Sequence, residues 1–567
     1  MLPRATPERM RKSLASAWLP GFGAILRAHP AGPNETYFGL RQGYLASHSD
    51  ANQGDFVIYA KGAPLTAMSC FAYAMRQYDE YKKIYADFGW HSRVRFGKQA
   101  DDGGWPGGGP VSGVHRHFFS DSADYLRAFG DYNARYLKAD DPIARDLSAP
   151  DALRWTRQVL FLKAKQAGGP DYFVFRDSFR NLAKGGKENL PQTWWYQRTL
   201  GKKDQVKASP TGFDYSAQWG QKMNVHFLQP AEVRIESREV TAKGPVYGYL
   251  AKGWLAAGSP VVKKEHETNA TVEETLTINA AGPIAAGQDV LVAIYPQAKD
   301  EAAPKYEALG EGVAKITTSE GTDYVFANPD GMTWRQGDVA FEGVAGAVRV
   351  YAGQVHLIVA EGAGTISYRG CTLKAGQPTV KIVPVADVAK GGTIDVPAPG
   401  VTIAFALDGK AGKIEEVAPG VRRQKTASGF ALEVNAGKSL KFEQDKVVFV
   451  GRRGGIVVDE TAGTVRVVML DGERIGYGRL LADVASGPYD ITFHKDKMVG
   501  VAEGPARFIH LTMPEGIVQL PTVTIGGISY APGTYGDIAI VPVLEGRCEF
   551  TVTNLKQPAV FRSWQMW

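Results

Sequence analysis

The densest group of chemically active side chains lies in residues 41–56, with the sequence RQGYLASHSDANQGDF, directly before an apolar run. It combines an imidazole (His48), a carboxylate (Asp50) and two amides (Asn52 and Gln53). Such groups on the approach to a rigid strand are well placed to hold a catalytic geometry. The segment is therefore a candidate active site, although the same residue types also satisfy ordinary turns.

Two further histidine segments each stand at the start of a predicted strand. His91 lies in the sequence DFGWHSRVRF and could meet His48 across neighbouring strands. His115 and His117 alternate along one predicted strand, so their side chains would share a face and suit a metal. Without an identified third ligand, this HxH pair is only weak evidence for a metal site.

Several common catalytic motifs are missing from the sequence. It contains no GxSxG, no GxxxxGK[ST], no HExxH, and no GxGxxG that follows a strand and opens a helix. These motifs are typical of serine hydrolases, phosphate-binding loops, zinc proteases and dinucleotide-binding folds. The sequence gives no support to any of these classes.

Composition restricts the class of protein further. The chain has 567 residues, 44% of them hydrophobic and 22% charged, which is typical of a globular protein with sizeable cores. The net charge is +6 with both signs interspersed, which excludes a dedicated nucleic-acid surface but allows an anionic polymer as a partner. No apolar stretch is long enough to span a membrane. The N-terminus lacks a secretory signal, so the sequence alone assigns no compartment.

Short runs of β-branched and aromatic residues predict a mainly β fold. We predict a large antiparallel β-sandwich assembly over residues 21–385, with a weaker division near residue 250. One or two small β-sandwich modules are predicted over residues 386–567, after the Gly- and Pro-containing segment 386–400. The runs that carry this prediction lie at residues 55–60, 158–162, 172–175, 224–228, 289–295, 347–368 and 446–470, with turns at Asp408-Gly409 and Asp471-Gly472.

Two helices interrupt the strand pattern. The first is predicted within residues 1–20, because Pro7 suits a first helical turn and apolar residues recur every four positions up to Trp18. The second is predicted over residues 71–88, where Tyr78, Tyr81 and Tyr85 fall on one face. That tyrosine face either packs on a sheet or presents phenols to a ligand.

An ordered set of segments extends from Leu19 to about Tyr368. These are PGFGAILR at 20–27, FGLRQG at 38–43, SH at 47–48, NQGDF at 52–56, AKGAPL at 60–65, HSRV at 91–94, RQVLF at 157–161, DYFVFRD at 171–177 and residues 219–230. Their order resembles the β-sandwich region of the heparinase II/III-like polysaccharide lyases. The histidine segment is the most specific part of this resemblance. By family, the resemblance implies a periplasmic or extracellular location.

The resemblance implies β-elimination on a uronate-containing polysaccharide. In that reaction a base removes the C5 proton, the resulting negative charge is stabilised electrostatically, and an acid protonates the departing O4. His48 corresponds to the histidine that the sandwich contributes to the site, with Tyr44 and Arg41 as nearby catalytic candidates. The candidates for substrate binding are Asn52, Gln53, Tyr78 and Trp105.

The same resemblance raises the question of zinc. His91 corresponds to a histidine that binds a structural zinc in some relatives, and Asp50 stands where many relatives carry a second histidine. Met68 stands where they carry an aspartate. Because a thioether is a poor substitute for an anionic oxygen on zinc, we expect the metal to bind weakly or not at all.

Relatives carry a helical toroid before the sandwich, which supplies the catalytic tyrosine and the group that binds the uronate carboxylate. Here we expect that helical half on an upstream segment or a separate chain, or else a loss of activity. The alternative function is a non-catalytic carbohydrate-binding or interaction protein, in which Trp105, Trp194 and Trp195 stack on sugar rings. A glycoside hydrolase would need two facing carboxylates, and the sequence offers no such pair.

Overall fold

The computed structural model divides the chain into two compact units, Met1–Pro397 and Ala398–Trp567. This division falls inside the segment 386–400. Strands dominate both units, which confirms the mainly β fold. The structure describes residues 14–19, 22–30, 32–42, 54–66, 91–96, 111–132, 153–181, 186–217, 220–245, 271–398, 400–409, 411–483, 488–504, 507–514, 521–530, 533–535, 537–543 and 546–555.

The strands of the first unit are short at its N-terminal end and longer towards residue 350. They are β1 (Ala17–Leu19), β2 (Gly23–Ala28), β3 (Thr36–Arg41), β4 (Phe56–Ala60), β5 (Ala63–Pro64), β6 (Val94–Phe96), β7 (Val111–Phe119), β8 (Ala123–Tyr132), β9 (Leu153–Leu162), β10 (Tyr172–Asn181), β11 (Thr193–Leu200), β12 (Val206–Ser209), β13 (Gly212–Ser216), β14 (Lys222–Gln229), β15 (Ile235–Pro245), β16 (Thr271–Ile284), β17 (Val290–Gln297), β18 (Lys305–Gly310), β19 (Val313–Thr317), β20 (Gly321–Gln336), β21 (Val339–Tyr351), β22 (Gln354–Glu361), β23 (Gly364–Tyr368), β24 (Cys371–Ala375), β25 (Thr379–Pro384) and β26 (Gly392–Val396).

The first unit is organised around a central sheet with the strand order β12-β13-β14-β17-β10-β9-β8-β7. Its middle strands β10 and β17 are buried along nearly their whole length. Successive side chains of a strand point to opposite faces, so burial of both sets means that the sheet is covered on both sides. Phe173 and Phe175 of β10 enter one core, and Tyr172 and Val174 enter the other.

Three further sheets supply these covers. On the Phe173 side lie the first sheet, β1-β2-β3-β4-β5, and a neighbouring sheet, β15-β16-β11-β6. Aromatic rings fill this core: Phe161 and Phe173 stack at 4.5 Å, and Phe38 lies 5.1 Å from Phe173. On the Tyr172 side lies the sheet β18-β19-β20-β21-β23-β24-β26, in which β22 pairs with β21 and β25. The central sheet therefore has a packed layer on each face.

The second unit is also built of paired strands, and it has its own hydrophobic core. Its strands are β27 (Ile414–Ala418), β28 (Val421–Thr426), β29 (Gly429–Gln444), β30 (Val447–Asp459), β31 (Thr464–Tyr477), β32 (Leu480–Asp483), β33 (Tyr489–Phe493), β34 (Met498–Gly504), β35 (Arg507–Thr512), β36 (Thr522–Ile525), β37 (Ile528–Tyr530), β38 (Gly533–Tyr535), β39 (Ile538–Val543) and β40 (Gly546–Thr553). The main strand order is β27-β28-β29-β30-β31-β33-β34-β40-β36-β37, with β32, β35, β39 and β38 branching from β31.

The predicted first helix is wrong at its C-terminal end. Residues Ala17–Leu19 form β1, which pairs antiparallel with β2, and the Trp18 ring stacks on His117 at 5.3 Å. Pairing with β2 and this ring contact favour an extended backbone over another helical turn. Residues 1–13 of that predicted helix and the whole of the second, 71–88, lie outside the described residues.

One predicted turn is also wrong. Asp471-Gly472 lies inside β31, where the register with β30 shifts and Gly472 pairs with Gly451. A Cβ on Gly472 would come within 2.6 Å of the Val450 carbonyl oxygen, so this glycine permits a close backbone approach within the sheet. In the part of the chain that the structure describes, the helical elements are a 3-10 turn, Lys203–Gln205, and an α-helix, Val385–Val388. No helix there is long and apolar enough to cross a bilayer.

The layered core predicts a large cost for deleting a central aromatic ring. Phe173→Ala should lower the free energy of unfolding by about 3–5 kcal/mol, because the ring is fully buried and its removal leaves a cavity. Urea unfolding followed by tryptophan fluorescence reports this unit through Trp155 and Trp195. The control Ile382→Ala, at a side chain that is 55% exposed, should change stability by no more than about 0.5 kcal/mol. Equal effects of the two substitutions would contradict the layered arrangement.

Candidate functional site

The predicted active-site segment connects β3 to β4, and the structure fixes both of its ends. The Arg41 amide donates to the Asp55 carbonyl at 2.8 Å, and the Gly54 amide donates to the Arg41 carbonyl at 2.7 Å. The Gln42 side-chain amide donates to the Phe129 carbonyl at 2.7 Å, which ties this end to the central sheet. The residues between these ends lie outside the described residues, and they include Tyr44, His48, Asp50, Asn52 and Gln53.

Arg41 is the predicted catalytic residue that the structure describes. Its side chain is buried, with 2% of the residue exposed. Its Nη1 donates to the Phe22 carbonyl at 2.7 Å, and its guanidinium lies 4.5 Å from the centre of the Phe22 ring. These contacts hold Phe22, directly before β2, against the end of β3.

His91 lies at the other end of the segment, in contact with Asp55. Its Nδ1 is 2.9 Å from Asp55 Oδ2, and the Ser92 amide donates to Asp55 Oδ1 at 2.7 Å. Arg198 joins from β11: its Nη2 lies 3.5 Å from His91 Nδ1, and its amide donates to Ser92 Oγ at 3.0 Å. We call Asp55, His91, Ser92 and Arg198 the Asp55 network, and all four are almost completely buried.

The Asp55 network keeps its carboxylate ionised. Burial alone raises the pKa of Asp55. The hydrogen bond and charge of His91, the charge of Arg198 and the Ser92 amide together outweigh burial, so the pKa of Asp55 lies below its usual value. The start of β4 is thus held by charge-assisted hydrogen bonds to a neighbouring sheet.

A second buried carboxylate, that of Asp177, also supports the start of β4. Asp177 on β10 accepts hydrogen bonds from Arg157 Nε (2.8 Å) and Nη2 (3.0 Å) in a bidentate ion pair. The indole N–H groups of Trp155 and Trp195 donate to the same carboxylate at 2.7 and 3.1 Å. Arg157 Nη1 donates to the Gly54 carbonyl at 3.0 Å. This Asp177 cluster therefore links the central sheet to the end of the predicted active-site segment.

The geometry of His91 allows one mode of zinc binding. A metal there would bind Nε2, because Nδ1 is bonded to Asp55; a carboxylate on the second ring nitrogen is the usual support of a metal-ligating histidine. The Arg198 charge close to the ring opposes a cation. In the part of the chain that the structure describes, no group of three or more His, Cys, Asp or Glu side chains is placed to hold a metal. The partners predicted from the resemblance, Asp50 and the position of Met68, lie outside that part.

Both histidines of the HxH pair lie on β7. The register of β7 with β8 shifts between Val114 and Arg116. His117 packs between Trp18 and Phe119, with ring centroids at 5.3 and 5.1 Å. Burial, assisted by the Arg116 charge, lowers the pKa of His117 to about 4. His117 is therefore a neutral, partly buried histidine near pH 7.

The aromatic residues named for sugar stacking differ in their surroundings. Trp195 is fully buried and bonded to Asp177, so the prediction that it stacks on sugar rings is wrong. Trp194 is partly buried and packs against Tyr196, Ile278 and Ala280. Trp105 and Tyr78 lie outside the described residues.

Four residues with supporting roles were not predicted from the sequence: Asp177, Arg157, Asp55 and Arg198. The available signal was a charged residue inside a run that otherwise reads as a fully buried strand, as in RQVLF and DYFVFRD. A buried charge is almost always paired, so each of these two runs indicates that a partner for its charge exists. Which charge meets which depends on the order of strands in the sheets, and local sequence does not determine that order.

No protein-family model matches the chain, and the curated proteins give no match. Similar solved structures include the heparan sulfate lyase HepC from Pedobacter heparinus, with 15% identity and a TM-score of 0.34, over 55% of this chain and 42% of that one. A heparinase III has 12% identity and a TM-score of 0.34 over 65% and 42%. A Paenibacillus xanthan lyase has 8% identity and a TM-score of 0.31 over 95% and 50%. These neighbours are polysaccharide lyases, and the chain spans half of their length or less.

The Asp177 cluster predicts that Asp177→Asn destabilises the first unit by about 3–5 kcal/mol, because the change leaves the Arg157 charge buried without its counter-ion. Urea unfolding measures this loss, and hydrogen exchange at the Gly54 amide should become faster. The control is Asp338→Asn, which breaks an ion pair with Arg369 in which both side chains are more than half exposed. It should cost less than about 1 kcal/mol. An Asp177→Asn protein as stable as this control would rule out the cluster as a support.

The zinc content of the purified protein tests the expectation that Met68, in place of an aspartate, weakens zinc binding. After dialysis against a chelator, the purified protein should retain much less than one equivalent of zinc by elemental analysis, since a thioether is a weak ligand for this metal. Met68→Asp restores an anionic oxygen and should increase the zinc retained. Stoichiometric zinc in the unsubstituted protein after chelation would show the expectation to be wrong.

Proposed function

We propose that this chain is the sandwich portion of a polysaccharide lyase that cleaves a uronate-containing polysaccharide by β-elimination. The sequence resemblance supports the reaction class. The observation that carries the proposal further is the fixed position of both ends of the His48 segment, at Arg41-Gln42 and at Gly54-Asp55. A proton-transfer group needs such a fixed position, because catalysis falls steeply when reacting groups are misplaced.

The reaction assigns distinct tasks to the groups at the site. The C5 proton lies next to a carboxylate, so its removal concentrates negative charge on that group and requires a positive or hydrogen-bonding neighbour. In this proposal His48 neutralises that charge or assists the proton transfer, with Tyr44, four residues earlier in the sequence, as a candidate partner. The side chain of Arg41 is buried against Phe22. Arg41 therefore contributes indirectly, by holding the end of β3.

The base and the group that binds the uronate carboxylate are proposed to come from a helical half. That half would be encoded upstream or supplied as a separate chain, and the substrate would lie between it and the sandwich. The Asp55 network and the Asp177 cluster would then keep the sandwich side of the site rigid while substrate binds. A location in the periplasm or outside the cell belongs to the same proposal.

The direct test is the product. β-Elimination leaves a 4,5-unsaturated uronate that absorbs in the ultraviolet, whereas hydrolysis leaves no such chromophore. We expect the sandwich chain alone to be slow or silent on a panel of uronate polysaccharides, and the chain joined to its helical half to be active. In the active protein, His48→Ala should lower kcat by about 10²–10⁴-fold, the usual contribution of a proton-transfer group.

A matched histidine control separates a site effect from a general one. His494→Ala changes a partly exposed histidine of the second unit and should leave kcat unchanged. Full activity of His48→Ala would defeat the assignment of that residue. Cleavage products without ultraviolet absorption would defeat the lyase proposal as a whole and favour hydrolysis.

A further inference from the structure

The connection between β9 and β10, residues 163–171, packs against the first sheet at the end of β3 opposite Arg41. It carries a buried carboxylate, Asp171, with 1% of the residue exposed. Asp171 Oδ2 accepts a hydrogen bond from Thr36 Oγ1, at the start of β3, at 2.8 Å. Its Oδ1 accepts one from the Ala164 amide at 2.7 Å. Asp171 therefore joins the first sheet to the central sheet.

No lysine or arginine of the described residues forms an ion pair with Asp171. Lys61 contributes a positive charge to its surroundings, but the Lys61 ammonium lies 2.9 Å from Glu301 Oε2. The same ammonium donates to the carbonyls of Gly168 and Gly169 at 2.9 and 2.6 Å. These three acceptors match the three N–H groups of a lysine. The Asp171 carboxylate is thus buried without a bonded cation of its own, which is a costly state for an ionised group.

His29 is placed to supply the missing charge. It directly follows β2, and its Nε2 lies 4.0 Å from Asp171 Oδ1. This nitrogen is buried and has no hydrogen-bond partner among the described residues. Most buried polar atoms have a partner, so an unpaired ring nitrogen beside an unmatched carboxylate calls for an explanation. A shift of about 1 Å would bring the two atoms to hydrogen-bond distance and satisfy both groups.

The other ionisable groups around this connection are paired, protonated or exposed. Three ion pairs surround it: Lys61–Glu301, Lys163–Asp124 and Arg349–Asp323. The phenols of Tyr172 and Tyr351 stay protonated near neutral pH, because burial raises the pKa of each above its usual value. Glu320 accepts a hydrogen bond from the Lys165 amide at 3.2 Å, and the Lys165 side chain is exposed. Asp171 remains the buried carboxylate of this region that depends on a histidine.

The protonation of Asp171 is linked to folding. Burial raises the pKa of Asp171 above its usual value, although its hydrogen bonds and the charges of His29 and Lys61 act in the opposite direction. The folded chain therefore holds a proton at this site more tightly than the unfolded chain does. Stability gained in this way is present in acid and is lost as the pH rises.

We propose that His29 and Asp171 form a proton-dependent bond that locks the first sheet to the central sheet in mildly acidic solution. In the locked state the imidazolium of His29 donates through Nε2 to the carboxylate. Above the usual titration range of histidine, about pH 6.5, the imidazolium loses its proton and the carboxylate is left without a counter-charge. The lock acts at the Thr36 end of β3, whereas the Asp55 network acts near the Arg41 end. This inference does not depend on the proposed lyase reaction.

Histidine NMR on the full chain tests the pairing directly. With ¹³C-labelled histidine, the signal that disappears in His29→Gln identifies His29. Asp171→Asn should lower the pKa of His29 by about one unit or more, because it removes the negative charge that favours the imidazolium. The signal of His494, in the second unit, should keep its pKa and serves as the internal control. An unchanged His29 pKa in Asp171→Asn would overturn the proposed pair.

Hydrogen exchange gives a second readout that needs no substitution of Asp171. His29→Gln keeps a hydrogen-bond donor but removes the titrating charge. Amides of β2 and β3 should exchange about tenfold faster in this variant than in the unsubstituted chain at about pH 5, since one pKa unit is a tenfold change in an equilibrium constant. At about pH 8 the two proteins should agree within about twofold.

The matched control is His494→Gln, at a partly exposed histidine of the second unit. It should leave the exchange of β2 and β3 unchanged at both pH values. Comparing each variant with the unsubstituted chain at the same pH removes the chemical pH dependence of exchange. An equal effect of His29→Gln at both pH values would show that His29 is only a packing contact, and it would refute the lock.

Discussion

The buried carboxylate of Asp177 sets the arrangement of the first unit. A carboxylate removed from water is costly unless charges and hydrogen bonds replace its hydration. Here the replacements come from different sheets: Arg157 and Trp155 lie on the neighbouring strand β9, and Trp195 lies on β11 of a covering sheet. The layers must therefore meet in one register for the carboxylate to be satisfied. Arg157 extends this requirement to the first sheet through the Gly54 carbonyl.

In the Asp55 network, a second buried carboxylate is satisfied by groups from a neighbouring sheet, and Asp55 directly follows Gly54 in the chain. Asp55 draws His91, Ser92 and Arg198 together and so joins the start of β4 to β6 and β11. Gly54 and Asp55 are thus held from the central sheet on one side and from the neighbouring sheet on the other. Removing one partner of a buried pair leaves an uncompensated charge, so each pair disfavours arrangements in which its partners do not meet. The Gly54-Asp55 end of the His48 segment has a defined position because two separate charge clusters hold it.

Local sequence was enough to predict the buried strands, whereas the catalytic role of the His48 segment stays a prediction. The run at residues 172–175 is continuously apolar, as expected of a strand buried on both faces, and the residue types of the His48 segment are equally local. Local pattern did not predict structure that depends on distant contacts. Ala17–Leu19, for example, is a strand because it pairs with β2. The supports of the site are also distant, because Asp177 reaches it only through the order of strands in different sheets. Trp195 has a residue type that suits sugar stacking, yet its indole N–H is needed inside the core by Asp177.

The first sheet is therefore held in two ways. Its inner face is closed by aromatic packing, and its end at Gly54-Asp55 is fixed by buried charge, so this side tolerates little movement. In the proposed lyase this rigidity would serve catalysis, since a proton-transfer group must stay in place while substrate binds. The buried charges supply that rigidity from inside the core.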